Sequence, residues 1–426
     1  MHFTPLVLAG LLLFVPVSAQ AQDNRLDLFS AEALTIYGDL RVAAVDGEPS
    51  WTDGSFGKLR FGGDPNDSTS DPRLQVKFGK TGIVWQPRFS WSLGGTMVVE
   101  AQGGPHVEAG LSQAYLTYKP LGSERFQFSA RAGLMWPPVS LEHTGPEWAV
   151  KDTLTPSAIN SWIGEEVKVV GAEASGSFQL GQSTLTATLG GFDINDTAGA
   201  LVTFRGWGMH DRTALATRKL PLPPLNDFMT YSQPRYTHPL LDLEAGVFKK
   251  PGYYAKLALD LPSNVRLELF HYDNRGNPDL VNAALEWGWR TKFDNIGLVA
   301  QPALGWQLRA QALRGHTLMG DEIDGVPWID STFRAAYGMV THQAGKDSLS
   351  ARVDLFGTRN KGSAVLQDDN ENGWALTLAA KRQLTLQLNC IFEFLHIEST
   401  REARARSGLA APQTQNQLQM ALRVRW

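Results

Sequence analysis

Three groups of side chains in this 426-residue sequence have types and spacings that could do chemistry. Glu142 and His143 are adjacent and could be drawn as an acid–base pair. No nucleophile stands near them in the chain, so a solvated loop histidine is the expectation. Asp368-Asp369-Asn370-Glu371-Asn372-Gly373 reproduces the first half of a calcium loop. Its twelfth position is Ala379, where that loop needs a bidentate glutamate, so a polar turn is expected instead. The third group is a set of basic residues that recur on alternate positions, as in Leu422-Arg423-Val424-Arg425-Trp426. Arginine offers a fixed planar fork that suits phosphate and carboxylate, which points to binding or passage rather than bond-making.

Other chemistry is missing. The chain has no Gly-x-Ser-x-Gly nucleophile turn, no His-Glu-x-x-His zinc motif and no Gly-x-x-x-x-Gly-Lys phosphate loop. One cysteine, Cys390, excludes an internal disulfide framework and a cysteine-rich metal site. No cofactor or metal is expected. A net charge of -4 gives no reason to expect a nucleic-acid partner.

The elements that would position the basic ladder are strands. Apolar and polar residues alternate with period two through most of the chain, beginning at Leu34-Thr35-Ile36-Tyr37. Sixteen segments qualify: 34–42, 73–78, 83–101, 107–119, 125–134, 166–178, 183–194, 252–261, 264–273, 282–292, 301–314, 328–341, 348–359, 372–382, 384–398 and 416–426. Most have the ten or so residues that a tilted strand needs to cross a bilayer. Gaps between them alternate in length. Those at 46–72, 135–165 and 195–251 are long, whereas Pro120-Leu121-Gly122-Ser123 and Leu261-Pro262-Ser263-Asn264 are tight. Short turns at one end and long loops at the other are the pattern of an outer-membrane barrel.

A mean hydropathy of -0.20 excludes a helical membrane protein, but not a barrel whose apolar residues occupy every second position. Residues 1–21 carry a short apolar run and end Ala19-Gln20-Ala21, the pattern of a signal peptide cleaved near Ala21. Residues 22–33 are then a short lead-in and 34–426 the barrel. A closed ring of about 16 strands is too wide for its own side chains to fill. The charged face is therefore expected to line water and the apolar face to meet lipid.

The chain resembles bacterial outer-membrane porins, nearest the phosphate-selective-porin-like group, on its signal peptide, strand number, loop parity and final Trp426. The ending Met420-x-Leu422-x-Val424-x-Trp426 resembles the C-terminal assembly signal of such barrels, where Phe is more usual than Trp. That resemblance implies an all-β transmembrane antiparallel barrel with an inserted constriction loop after the fifth strand, here 135–165. It also implies a homotrimer in the bacterial outer membrane, among lipid and lipopolysaccharide, delivered there by the barrel-assembly machinery. The expected activity is passive diffusion of small hydrophilic solutes, phosphate or carboxylates among them. A substrate-specific channel is the alternative, and a barrel-embedded hydrolase a more distant one.

On the polar parity, basic residues outnumber acidic ones although the whole chain is negative. A narrow channel with low-dielectric walls focuses that field, so a modest anion preference is expected. Arg41, Arg88, Arg131, Arg309, Arg334 and Arg352 are the expected pore-lining residues. They would face Glu142, Glu147 and Asp152 of the constriction loop across a transverse field. Glu173 is awkward, because extending the parity of Val167 and Val169 turns it toward lipid. A slip near Gly171-Ala172, or cover from a neighbouring subunit, would account for it. Segment 195–251 could enter the pore or lie on the surface, and Pro221-Leu222-Pro223-Pro224 favours an irregular loop.

Overall fold

A computed structural model describes residues 26–64, 72–104, 106–143, 145–225, 227–244, 250–363 and 369–426. The expected signal peptide and Asp368 lie outside the described residues. Sixteen antiparallel strands form a closed ring in which each pairs with its neighbours in sequence and the last pairs with the first. They are β1 Leu34–Val45, β2 Arg73–Trp85, β3 Leu93–Gln102, β4 Glu108–Tyr118, β5 Phe126–Met135, β6 Val169–Leu180, β7 Ser183–Ile194 and β8 Gly252–Leu261. The second half comprises β9 Val265–Asp273, β10 Arg290–Ala303, β11 Trp306–Ile323, β12 Val326–Ala344, β13 Asp347–Asn360, β14 Glu371–Gln383, β15 Leu388–Arg401 and β16 Pro412–Arg425. Closure leaves no edge strand with unpaired backbone groups, the condition for crossing hydrocarbon.

The strand number agrees with the alternation, but two boundaries differ. Residues 83–101 are not one strand: β2 runs on through Ile83 to Trp85, and a turn at 86–92 precedes β3. Pro87 starts that turn, because it has no N–H for a ladder. The expected strand 282–292 is mostly loop, and β10 begins only at Arg290. Turns after even-numbered strands are short, two residues at 181–182, 304–305 and 345–346. Connections after odd-numbered strands are longer, except at 103–107 and at the two residues Asp324-Gly325. There φ values of 54° and 77° make the mirror-image turn that suits a tight hairpin.

β11 and β12 are tall instead of having a loop. Eighteen residues make about 60 Å of strand, which at a tilt of ~40° stands roughly 45 Å high, well beyond a ~25 Å apolar band. The outer face records that height. Leu308, Leu349, Val353, Leu355 and Leu378 are exposed on the outside, whereas Arg314, Arg334 and Arg359 are exposed nearer the long-loop end. Inward residues show the reverse gradient. Arg309, Gln311, Thr341 and Ser350 give way to Leu313, Phe333, Ala335 and Phe356, all buried.

Those inward apolar residues correct one expectation. The lumen is not simply water between charged walls; two inserted segments fill it. Segment 136–168 contains the helix α1, Ala158–Glu166, and segment 195–251 contains the short helix α2, Ala200–Phe204. Trp136, Ile159, Trp162, Ile163, Val202 and Trp207 join Phe270, Phe293, Phe333 and Phe356 of the wall in one buried apolar cluster. The puzzle of Glu173 resolves here, because Val167 and Val169 themselves face inward onto this cluster. Glu173 shares their side and accepts hydrogen bonds from Arg131 and the Tyr254 hydroxyl, each at 2.6 Å.

Candidate functional site

Serine at the N-terminus of α1 starts the construction of the plug. Ser157 caps the helix by accepting from the Asn160 N–H, and its own N–H and hydroxyl donate to Glu142. Glu142 thereby holds the helix start and also meets Arg352 of β13 at 2.9 Å. Arg352 donates further to Asp354 at 2.8 Å and to the carbonyls of Thr155 and Pro156 at 2.8 and 2.9 Å. Asp354 in turn accepts from the Ala158 N–H at 3.0 Å, at the positive end of the helix. Glu393 of β15 accepts from the backbone of Leu154 and Thr155 at 2.6 and 3.0 Å.

The other two acidic loop residues are also engaged. Asp152 pairs with Arg309 at 2.5 Å and lies 3.8 Å from Lys381. Glu147 pairs with Arg425. The structure therefore brings Glu142, Glu147 and Asp152 against basic wall residues, two of which are Arg309 and Arg352. They meet in direct contact, without the open gap that a transverse field across water requires. Arg41 and Arg352 are only 2% and 1% exposed, so neither fronts a free aqueous column.

Two of the expected pore-lining arginines are elsewhere. Arg334 points outward, because its neighbours Phe333 and Ala335 face in. The mainly apolar inward set at that height inverts the polarity rule that assigned it. Arg88 is exposed in the turn before β3, where it bridges to Asp27 and Gly94, and is not on the wall. Arg131 does face inward, half-buried beside Glu173 and the Trp136 carbonyl. Met420, Leu422, Val424 and Trp426 share the outer side of β16, and Trp426 is 82% exposed.

Of segment 195–251, whose place the sequence analysis left open, residues 195–215 enter the barrel. Residues 195–215 are buried throughout. Asp211 binds Arg41 at 2.6 Å and Arg60 at 2.7 Å. Lys58 of the first long loop joins Glu371 and donates to the Trp207 carbonyl at 3.0 Å. Arg401 holds the carbonyls of Thr203 and Phe204 at 2.6 and 2.9 Å. Gly206, with φ of 80°, lets the chain turn where a Cβ would strike the Glu371 carboxylate. The charged residues Arg205, Asp211 and Arg212 within the segment were the available signal, but their partners are not readable from alternation.

The chemistry drawn from sequence motifs does not assemble. His143 Nδ1 is 2.7 Å from the Ser140 hydroxyl and its ring stacks on Trp148, while Glu142 turns away to Ser157 and Arg352. Glu371 begins β14 and faces Lys58 and Arg401, so it is not available to a calcium loop. His271 and His396 lie on the outer face, beside Asp294 and Asn416.

One buried group gives the plug a pH dependence. Burial pushes Glu166 at the end of α1 up to about 7, although the Leu201 N–H and Trp162 indole donate to it. Unfolded Glu166 releases its proton at the usual carboxylate pH, near 4.5, while folded Glu166 keeps it until about 7. This group therefore costs stability as pH rises through that interval, on the order of 3 kcal/mol once complete. Glu166→Gln should melt with the wild type at pH 4.5 and above it at pH 8. A melting-temperature difference that stays constant with pH would refute the assignment.

The lumen opens toward the short turns. There Arg131, Arg266, Lys381 and Arg423 are half-buried and Arg425 is exposed, among Ser129, Ser175, Ser177 and Thr186. Nearer the long loops the same strands close on the plug. The site is thus a polar vestibule ending in an ion-paired, apolar-centred constriction.

No family model matches this chain, and no curated protein matches it in sequence. Solved structures do. The outer-membrane channel DcaP of Acinetobacter baumannii superposes with a TM-score of 0.52 at 10% identity, covering 94% of this chain and 99% of that one. An anion-selective porin from Comamonas acidovorans gives 0.50 at 12% identity, over 92% and 98%. Identities this low speak for architecture alone. In architecture the chain is a closed, antiparallel 16-stranded barrel like those of the bacterial outer-membrane porins.

Proposed function

We propose that this protein is an outer-membrane channel for passive diffusion of small hydrophilic solutes, of the narrow, solute-selective kind. The observation that carries the reading is the constriction: acidic loop residues paired directly to wall arginines above a half-open vestibule. A general pore would keep those partners apart across water. The apolar outer face of a closed ring supports placement in a bilayer, and residues 1–21 as a signal peptide would supply the export that an outer-membrane location needs. Met420, Leu422, Val424 and Trp426 would present the assembly signal to the barrel-assembly machinery. A homotrimer is the assembly to look for.

Anion preference is proposed as modest, because most vestibule cations already have carboxylate partners. Lys256 meets Glu268 at 2.7 Å, and Arg266 meets both Glu268 and Asp260. An entering phosphate or carboxylate must compete with those groups, which favours solutes that take the arginine fork in two places. Planar-bilayer recording tests both parts. The expected result is a small single-channel conductance with a reversal potential on the anion side in a salt gradient. A large open conductance would overturn the selective reading, and cation selectivity would overturn the anion preference.

A further inference from the structure

We propose that a cavity at the inner end of the vestibule is a binding site for a small α-amino acid in its zwitterionic form. The cavity measures about 60 Å³ and lies between residues 147–150 of the inserted loop and the wall of β1, β2 and β16. One water takes roughly 10–15 Å³ of such space, so there is room for several waters or one small solute. Trp148, Val150 and Leu154 give it an apolar side.

Charge decides the class of guest. Lys80, Arg423 and Arg425 line the cavity, and so do Asp39, Glu147 and Asp211. Asp39, Lys80, Glu147 and Asp211 are each more than nine-tenths buried. Three charges of each sign leave no net charge, so an anion or a cation entering alone would be uncompensated there. Most of these groups already have partners. Asp39 accepts from Arg41 at 2.7 and 3.0 Å, and Asp211 accepts from Arg41 and Arg60. Lys80 donates to the Trp148 carbonyl and the Thr213 hydroxyl, both at 3.3 Å. Arg425 pairs with one oxygen of Glu147. Two groups keep free capacity. Glu147 Oε2 is buried and accepts no hydrogen bond among the described residues. Arg423 donates to the Val150 carbonyl at 2.9 Å and has Asp39 at 3.6 Å, which leaves other N–H groups of its fork for a guest.

The free capacity is thus one carboxylate oxygen and one guanidinium edge. Arg423 and Arg425 are two residues apart on β16, about 6.7 Å along the strand, and Glu147 is held at Arg425. An α-amino acid that donates its ammonium to Glu147 and accepts through its carboxylate from Arg423 spans a similar length. Two hydrogen bonds of about 2.9 Å and its own head make roughly 6–8 Å. A simple carboxylate at Arg423 would face Glu147 and Asp39 with no proton to offer them. A simple amine at Glu147 would face Lys80 and Arg423 with no oxygen to offer them. The zwitterion answers both, and the volume restricts its side chain to a hydrogen or a methyl, as in glycine and alanine.

This inference rests on the channel reading, and one recording tests the two separately. Single channels of the full-length protein in a planar bilayer carry sodium chloride current at pH 7 while alanine, propionate or ethylamine is added. Propionate is alanine without its ammonium, and ethylamine is alanine without its carboxylate. Alanine should block the current saturably, at a concentration at least about tenfold below that needed of either analogue. Glu147→Gln should weaken the alanine block about tenfold or more and strengthen that by propionate. Arg423→Gln should weaken the alanine block likewise and strengthen that by ethylamine. Those opposite movements mark the loss of one arm of the site. If all three solutes weaken together in both variants, the loop has merely loosened and the proposal fails. Equal block of the wild type by alanine and propionate overturns it too, since the cavity would then take anions alone. A protein that forms no channels refutes the channel reading and the site with it, whereas one that conducts and ignores alanine refutes only the site.

Discussion

Replacing Arg352 with alanine should free the loop 136–168 and raise single-channel conductance several-fold. Arg352 is the one side chain that binds Glu142, Asp354, the Thr155 and Pro156 carbonyls and the Thr377 hydroxyl together. Its removal leaves two buried carboxylates facing each other without a cation. Breaking a buried ion pair from one side costs roughly 3–5 kcal/mol, and here two pairs break at once. The barrel wall need not absorb that cost, because its ladder hydrogen bonds are independent of the loop. The loop can, by leaving the lumen and hydrating Glu142. Protease cleavage within 136–168 should rise while the barrel keeps its heat-modifiable migration on gels. Arg309→Ala should do less, since Asp152 retains Lys381 at 3.8 Å. An Arg352→Ala barrel that migrates as folded with unchanged conductance would show that the loop is held by its apolar contacts instead.

How far the sequence foretold this arrangement depends on which face of a strand is considered. Outward apolar residues such as Leu40, Leu257, Val353 and Leu422 alternate cleanly, because lipid gives every one of them the same surroundings. Strand number, closure and loop parity follow from that one regularity. Inward residues obey no such rule. Phe293 and Phe333 face in because Trp162 of α1 and Trp207 are there to meet them, and no local pattern records a partner more than a hundred residues away. Arg334 was assigned inward by charge and Glu173 outward by parity, and both fail for that single reason. The pairing of Arg309 with Asp152 and of Arg352 with Glu142 was legible in kind, as basic wall against acidic loop. It was not legible in distance, since contact and an open gap have the same sequence.

The two inserted segments meet at Trp162 and Trp207, so truncating Trp207 should open the constriction from the other side. Trp207 is fully buried, its indole N–H donates to the Gly357 carbonyl at 3.1 Å, and its ring meets Trp162 at 5.9 Å and Phe333 at 6.2 Å, edge to face. Trp→Ala at such a site costs about 3–5 kcal/mol through lost burial and the cavity left behind. Main-chain anchors remain: Glu371 still accepts from the residue 207 N–H at 3.0 Å, and Arg401 still holds Thr203 and Phe204. The segment should therefore stay in the barrel while its centre loosens, giving a flickering rise in conductance instead of a steady one. Because the two indoles touch, Trp162→Ala and Trp207→Ala should be non-additive, with a coupling of roughly 0.5–3 kcal/mol in a double-mutant cycle. Strict additivity would mean that the inserts are held to the wall separately and do not form one plug. Combining Trp207→Ala with Arg352→Ala then distinguishes the remaining routes: a conductance above either single variant requires that both inserts obstruct the same path.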